Sequence, residues 1–143
     1  MVNSVLDSIT KALHDQFGDG YRYYVEEVEQ KVKTPCFTIG VLNPITRSVN
    51  RKDYRRTMPC VIHYYTDNKA NAIKTSYSIG EQVLERLEYL DINGHLVRGE
   101  DMSYMMVDDV LQVFITYRFW TERPETNTNM EDFSGVKTSV GNY

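Results

Sequence analysis

The chain has 143 residues, a formal net charge of −4, 41% hydrophobic residues and 25% charged residues. That length suits one domain around one core, and the composition is ordinary for a soluble globular protein. The acidic balance argues against general nucleic-acid binding, and no apolar stretch approaches the length that crosses a bilayer.

Val2, Val5, Leu6, Ile9, Leu13 and Phe17 recur at helical spacing, which predicts a first helix over Asn3–Phe17. Asn3 or Ser4 can cap its start, and Gly18 can end it. Tyr21–Val28 is rich in Tyr and Val and reads as a strand, with Glu26, Glu27 and Glu29 crowded at its end. Pro35–Leu42 is a second strand, broken by Asn43-Pro44, and Ile45–Asn50 reads as a polar turn. A long third strand follows over Arg51–Tyr65. Tyr54, Arg56, Met58, Cys60, Ile62 and Tyr64 share one side of it, and Pro59 calls for a bulge or an edge. Strands two and three are expected to form a hairpin with a basic tip.

Asp67 or Asn68 can cap a second helix, whose stripe runs Ile73, Tyr77, Gly80, Val83, Leu84, Leu87 and Leu90. Glycine inside that stripe costs about 1 kcal/mol against alanine, so Gly80 suggests close approach to a strand. Asn93-Gly94 is a tight-turn signal. Leu96–Val107 and Val110–Trp120 are the last two strands, joined across Asp108-Asp109, and the second alternates cleanly. The expected fold is therefore α+β, in the order α-β-β-β-α-β-β. It has a mainly antiparallel sheet of about five strands and two helices packed on one face. Eleven tyrosines against five phenylalanines suit a half-buried sheet, and the free sheet face is expected to be rich in them. Residues 1–120 form the expected domain. Residues 121–143 carry isolated apolar side chains and are expected to be a flexible tail, from which Phe133 could dock on a neighbour.

Little points to catalysis. His14, His63 and His95 fall in three different elements, and phosphate-loop, dinucleotide and nucleophile-elbow motifs are lacking. Cys36 and Cys60 lack metal spacing and read as small buried strand residues. No catalytic, metal or cofactor residues are assigned. The N-terminus shows no secretory pattern, so synthesis and use in the cytoplasm are expected. The local lead is the basic run: Arg47, Arg51, Lys52, Arg55 and Arg56 face one acid, Asp53, leaving −8 for the rest of the chain. Such a hairpin could meet another subunit's acidic surface, protect a sheet edge from aggregation, or grip phosphates. Glu26, Glu27 and Glu29 read as a solvated strand end or a contact surface.

Four segments in fixed order carry a resemblance that spans roughly Ser4 to Trp120. They are Tyr24-Val25-Glu26-Glu27-Val28-Glu29-Gln30 closed by Pro35-Cys36-Phe37; Leu42-Asn43-Pro44, the basic run and Tyr54–Tyr65; a helix ending Leu87-Glu88-Tyr89-Leu90; and Asn93-Gly94-His95-Leu96-Val97-Arg98-Gly99 ahead of two strands. The combination resembles the small tail terminator, or tail completion, proteins of phages and prophages of Gram-positive bacteria. The resemblance implies a non-enzymatic virion protein that caps the head-proximal end of a tail tube as a ring, usually a hexamer. Its implied partners are itself, the tail tube protein and neck or head-completion proteins, with DNA passing through the ring but no specific nucleic-acid contact and no membrane. The implied location is a virion or tail-like particle made in a bacterial host. A ring needs two different patches per subunit, and the basic hairpin and the Glu26, Glu27, Glu29 end are candidates by charge. The alternatives are another neck or tail-completion protein or, in a different class, a small ligand-binding domain or enzyme with a site on the exposed sheet face.

Overall fold

The computed structural model describes residues 1–25 and 33–123, Lys69 by its backbone only. Helix α1 spans Val2–Phe17 and buries Val5, Leu6, Ile9, Ala12 and Leu13, the stripe expected from spacing. It starts without a side-chain cap and ends at Gly18, whose φ of 78° is costless only for glycine. Strand β1 (Arg22–Val25) follows, then β2 (Cys36–Val41), β3 (Ile45–Ser48) and β4 (Asp53–Tyr65). Helix α2 (Ala72–Leu87) leads into β5 (Tyr89–Ile92), β6 (His95–Val107) and β7 (Val110–Glu122).

The class is α+β as expected, but the sheet differs in two respects. Among the described residues it has seven strands rather than about five, ordered β1-β2-β4-β7-β6-β5 with β3 paired to β4. It is also mixed, because β1 runs parallel to β2. The two added strands have plain causes. Residues 45–48, read as a polar turn, are wholly exposed yet pair with Tyr54–Thr57. At Leu90 the helical stripe is interrupted, because α2 stops at Leu87 and Leu90 and Ile92 instead alternate with exposed Tyr89 and Asp91 along β5. Helix α2 also starts later than expected, at Ala72 after a 3₁₀ turn, and no side-chain cap from Asp67 or Asn68 forms.

The long hairpin exists in modified form. β2 pairs with Cys60–Tyr65 and β3 with Tyr54–Thr57, so together they line one edge of β4 with a break at Leu42–Pro44. Asn43 takes a φ of 44° there. Pro59 faces this break, and its carbonyl accepts the Leu42 N–H at 2.7 Å. In an antiparallel strand a residue's N and O point the same way, so the donor that proline lacks falls where no partner strand runs.

Both helices cover one sheet face, and the core lies between. Met58, Cys60, Ile62 and Tyr64 of β4 and Leu111, Val113, Ile115 and Tyr117 of β7 point into it, all at most 2% exposed. Tyr117 donates its hydroxyl to the Leu87 carbonyl at 2.6 Å, tying the end of α2 to the sheet. Tyr23 does the same for α1, donating to the Gly18 carbonyl at 2.8 Å. Gly80 lets α2 approach the sheet, as its place in the stripe suggested: a Cβ there would lie 3.2 Å from the Tyr104 ring. Gly99 is more constrained, with a Cβ only 2.2 Å from Ile115 Cδ1. The tyrosines Tyr23, Tyr64, Tyr104 and Tyr117 thus serve the core side. The face away from the helices carries Tyr24 and Tyr65 of the expected tyrosines together with Phe114, Met105 and Val107, while Val61 on the same face is buried.

Candidate assembly surface

β4 and β7 pair without interruption from Asp53–Glu122 to Tyr65–Val110. The helices cover only part of this ladder. Pairing of β7 with β6 ends at Gly99–Tyr117, where β6 turns away to pair with β5. Beyond that point β3, β4 and the end of β7 continue as a three-stranded arm. Its central stretch, Asp53–Thr57, spans about 15 Å at ordinary strand rise. A register shift between Glu100 and Ser103 marks the divergence, and Arg118 holds it by pairing with Glu100 at 2.8 Å and Asp101 at 3.1 Å. These two carboxylates raise the Arg118 pKa further.

The arm gathers the basic run and divides it. Arg47 and Arg55 are direct cross-strand partners on one face, both exposed, and Trp120 lies opposite Arg55 on the next strand. Like charges placed directly opposite destabilise a sheet. Arg51 and Lys52 sit in the turn, where Asn50 Oδ1 accepts the N–H groups of Lys52 and Asp53 at 2.7 and 2.8 Å. Arg47, Arg51, Lys52 and Arg55 form no ion pair among the described residues. Arg56 points to the other face, as alternation along β4 requires. It donates to Thr121 Oγ1 at 2.8 Å and Thr46 Oγ1 at 3.4 Å and stacks 5.4 Å from the Tyr54 ring centroid. Arg123 covers the same ring at 5.1 Å and donates to Ser48 Oγ.

Trp120 and Arg123 were not among the sequence candidates, since they lie more than 60 residues from the basic run. The signal for them was the alternation of β7, which runs on past Trp120. At the foot of the arm, Leu96 (71% exposed) and Trp120 (60% exposed) flank an open cleft of about 380 Å³ shared with His95, Arg98, Arg118 and Phe119. Glu26, Glu27 and Glu29 lie outside the described residues, so their place relative to the arm is not part of this geometry.

The histidines do not converge. His14 meets Asp19 at 2.6 Å on the surface, His63 lies beside Thr38 and the Tyr65 ring, and His95 borders the arm cleft. Among the described residues no cluster of three or more His, Cys, Asp or Glu side chains is placed to hold a metal ion. Among the described residues no helix is long and apolar enough to cross a membrane. Cys36 and Cys60 are buried and unbonded. They sit on adjacent strands but out of register, Cys36 opposite Tyr65 and Cys60 opposite Val41. Burial pushes their thiols up to about 11 and about 12.

The most distinctive surface among the described residues of this α+β fold is the charged three-stranded arm. The model of the phage tail terminator protein family matches residues 4–129, and the chain belongs to that family. It is a family of structural proteins of the phage tail. No curated protein matches the sequence. One solved structure aligns with 84% of this chain and 96% of its own length, at 13% identity and a TM-score of 0.37, a likeness too distant to argue from.

Proposed function

We propose that the protein caps the head-proximal end of a phage-type tail tube as a ring, ends tube polymerisation there, and offers the surface to which head or neck proteins join. Family membership supports the tail role. The observation that carries the capping reading is the arm: four exposed basic side chains without a described acidic partner, two of them directly opposed at a local cost in stability. A surface kept in that state suits an acidic partner. In the ring the arm of one subunit meets an acidic patch of the next, for which Glu26, Glu27 and Glu29 are the candidates. A hexamer is the expected ring. The assembling domain, expected to end at residue 120, extends through β7 to Glu122, because Thr121 and Glu122 pair with Tyr54 and Asp53, and the remaining C-terminal residues are a separate segment. The function needs no cofactor and no catalytic step.

Electron microscopy of tails made without this gene tests the reading. The expected result is tails of abnormal length, or tails that fail to join heads. Tails of normal length that join heads in the deletion strain overturn it.

A further inference from the structure

The turn that joins β5 to β6 is Asn93-Gly94, the chain's one Asn-Gly pair, with Ile92 and His95 paired across it. Both turn residues take positive φ, 52° and 85°, the pattern of a type I′ hairpin turn, for which Asn-Gly is a favoured pair. The same pair is chemically labile. Asparagine is a thermolabile residue, and the glycine after it puts no side chain in the way of attack by its own amide nitrogen. Both residues are exposed.

One contact opposes that chemistry. The Gly94 N–H donates to Asp91 Oδ1 at 2.7 Å. Deamidation requires this N–H to lose its proton and the nitrogen to swing onto Asn93 Cγ. The carboxylate hinders both steps: its charge-assisted bond holds the turn closed, and its negative charge disfavours a second negative charge on the nitrogen. We propose that Asn93-Gly94 is a latent deamidation site and that Asp91 sets its rate. When the turn opens, hydroxide takes the Gly94 amide proton and the nitrogen attacks Asn93 Cγ. The N–Cγ bond forms, the Cγ–Nδ2 bond breaks, and the Nδ2 group takes a proton from water and leaves as ammonia, which returns the hydroxide. One water then opens the succinimide ring. Cleavage at Cγ leaves aspartate. Cleavage at the main-chain carbonyl leaves isoaspartate, whose main chain runs through Cβ and Cγ.

The isoaspartate product lengthens a turn whose length fixes the hairpin register. β5 has only four residues, and through that register it buries Leu90 and Ile92. Either product adds a carboxylate beside an open space that Asn93 shares with Asp53 and Glu122, where it meets like charge. The site does not depend on the capping role.

Peptide mapping by mass spectrometry tests this on the full chain held in mildly alkaline buffer. Folded wild type is expected to convert Asn93 more slowly than the same chain in urea. Folded D91A should convert it about tenfold faster than folded wild type, the worth of one charge-assisted hydrogen bond. D91N keeps an oxygen acceptor without the charge and should fall between them, and in urea all three should match. Equal folded rates in wild type and D91A overturn the proposal, as does a folded wild type that converts as fast as the unfolded chain. Hydrogen exchange separates the turn from a general loosening: in D91A the Gly94 amide should lose protection while the amides of β4 and β7 keep theirs. Faster exchange throughout β4 and β7 overturns the assignment to Asp91.

Discussion

Replacing Arg47 by Glu should make the protein more stable and worse at assembly. Arg47 and Arg55 are direct cross-strand partners, exposed, with no ion pair among the described residues. A like-charge pair in that position costs about 0.2–1 kcal/mol, and an opposite pair gains a similar amount. Reversing one member therefore swings the pair by about 0.5–2 kcal/mol. For a domain of this size that raises Tm by roughly 2–6 °C at low salt, and the gain should shrink in 0.5 M NaCl as the exposed charges are screened. Arg55→Glu should behave alike. The double variant R47E/R55E restores repulsion with the sign inverted and should return to wild-type Tm, a non-additivity expected only for groups in contact. Calorimetry over this four-member cycle, with hydrogen exchange of the arm amides, measures the stability side. Binding to tails made without the protein measures the other, where each single variant should lose affinity. Single variants that do not gain stability, or a double variant that gains twice, would refute the pairing. Single variants that gain stability and still cap tails normally would refute the role assigned to the arm.

Gly99→Ala should destabilise by about 1–3 kcal/mol through overpacking, since its Cβ would lie 2.2 Å from Ile115 Cδ1. Ile115→Val removes that atom, so urea melts of the double variant should show less than the summed loss. In alkali, stability should be complete below about pH 9 and fall as pH rises toward 12. Burial raises Tyr23 and Cys60 to about 12 from ordinary values of 10.0 and 9.0, so the unfolded chain ionises first and gains from it. Absorbance at 295 nm should show Tyr23 titrating together with unfolding, and an early independent titration of it would contradict its burial. Deleting Thr126–Tyr143 should leave far-UV circular dichroism unchanged and Tm within about 2 °C, because its apolar residues are few, isolated and without periodicity. A loss of several degrees would place Phe133 or Val136 inside the fold.

How far the sequence could be read depended on burial. β4 and β7 alternate because one face of each is sealed by the helices, and both were legible nearly to the residue. α1 was legible because its stripe meets one continuous core. β3 was not, because every residue of Ile45-Thr46-Arg47-Ser48 stays exposed, so no buried face patterns it, and it is a strand only through its partner Tyr54–Thr57. β5 was hidden because Leu87 and Leu90 continue a helical spacing, although Leu90 and Ile92 also satisfy a period of two. The parallel β1–β2 pair cannot be inferred from either strand alone, since both orientations present the same side chains. Of the site, the basic residues were visible as a run, but their division between two faces followed only from alternation. The alternation of β7 marks a strand through Trp120 but not its partner, so that Trp120 stands opposite Arg55 and Arg123 bonds Lys52 became visible only in the fold.

The two cysteines bear on how the fold meets an oxidising setting. Disulfides form readily outside a reducing interior, and a thiol reacts as its thiolate. Cys36 and Cys60 are held almost wholly as thiols at neutral pH, sealed from solvent, and offset so that neither faces the other. An oxidising setting therefore gives these positions no new bond to make. The described fold needs no covalent lock to persist outside, and carries no pair of thiols that oxidation would pull out of register.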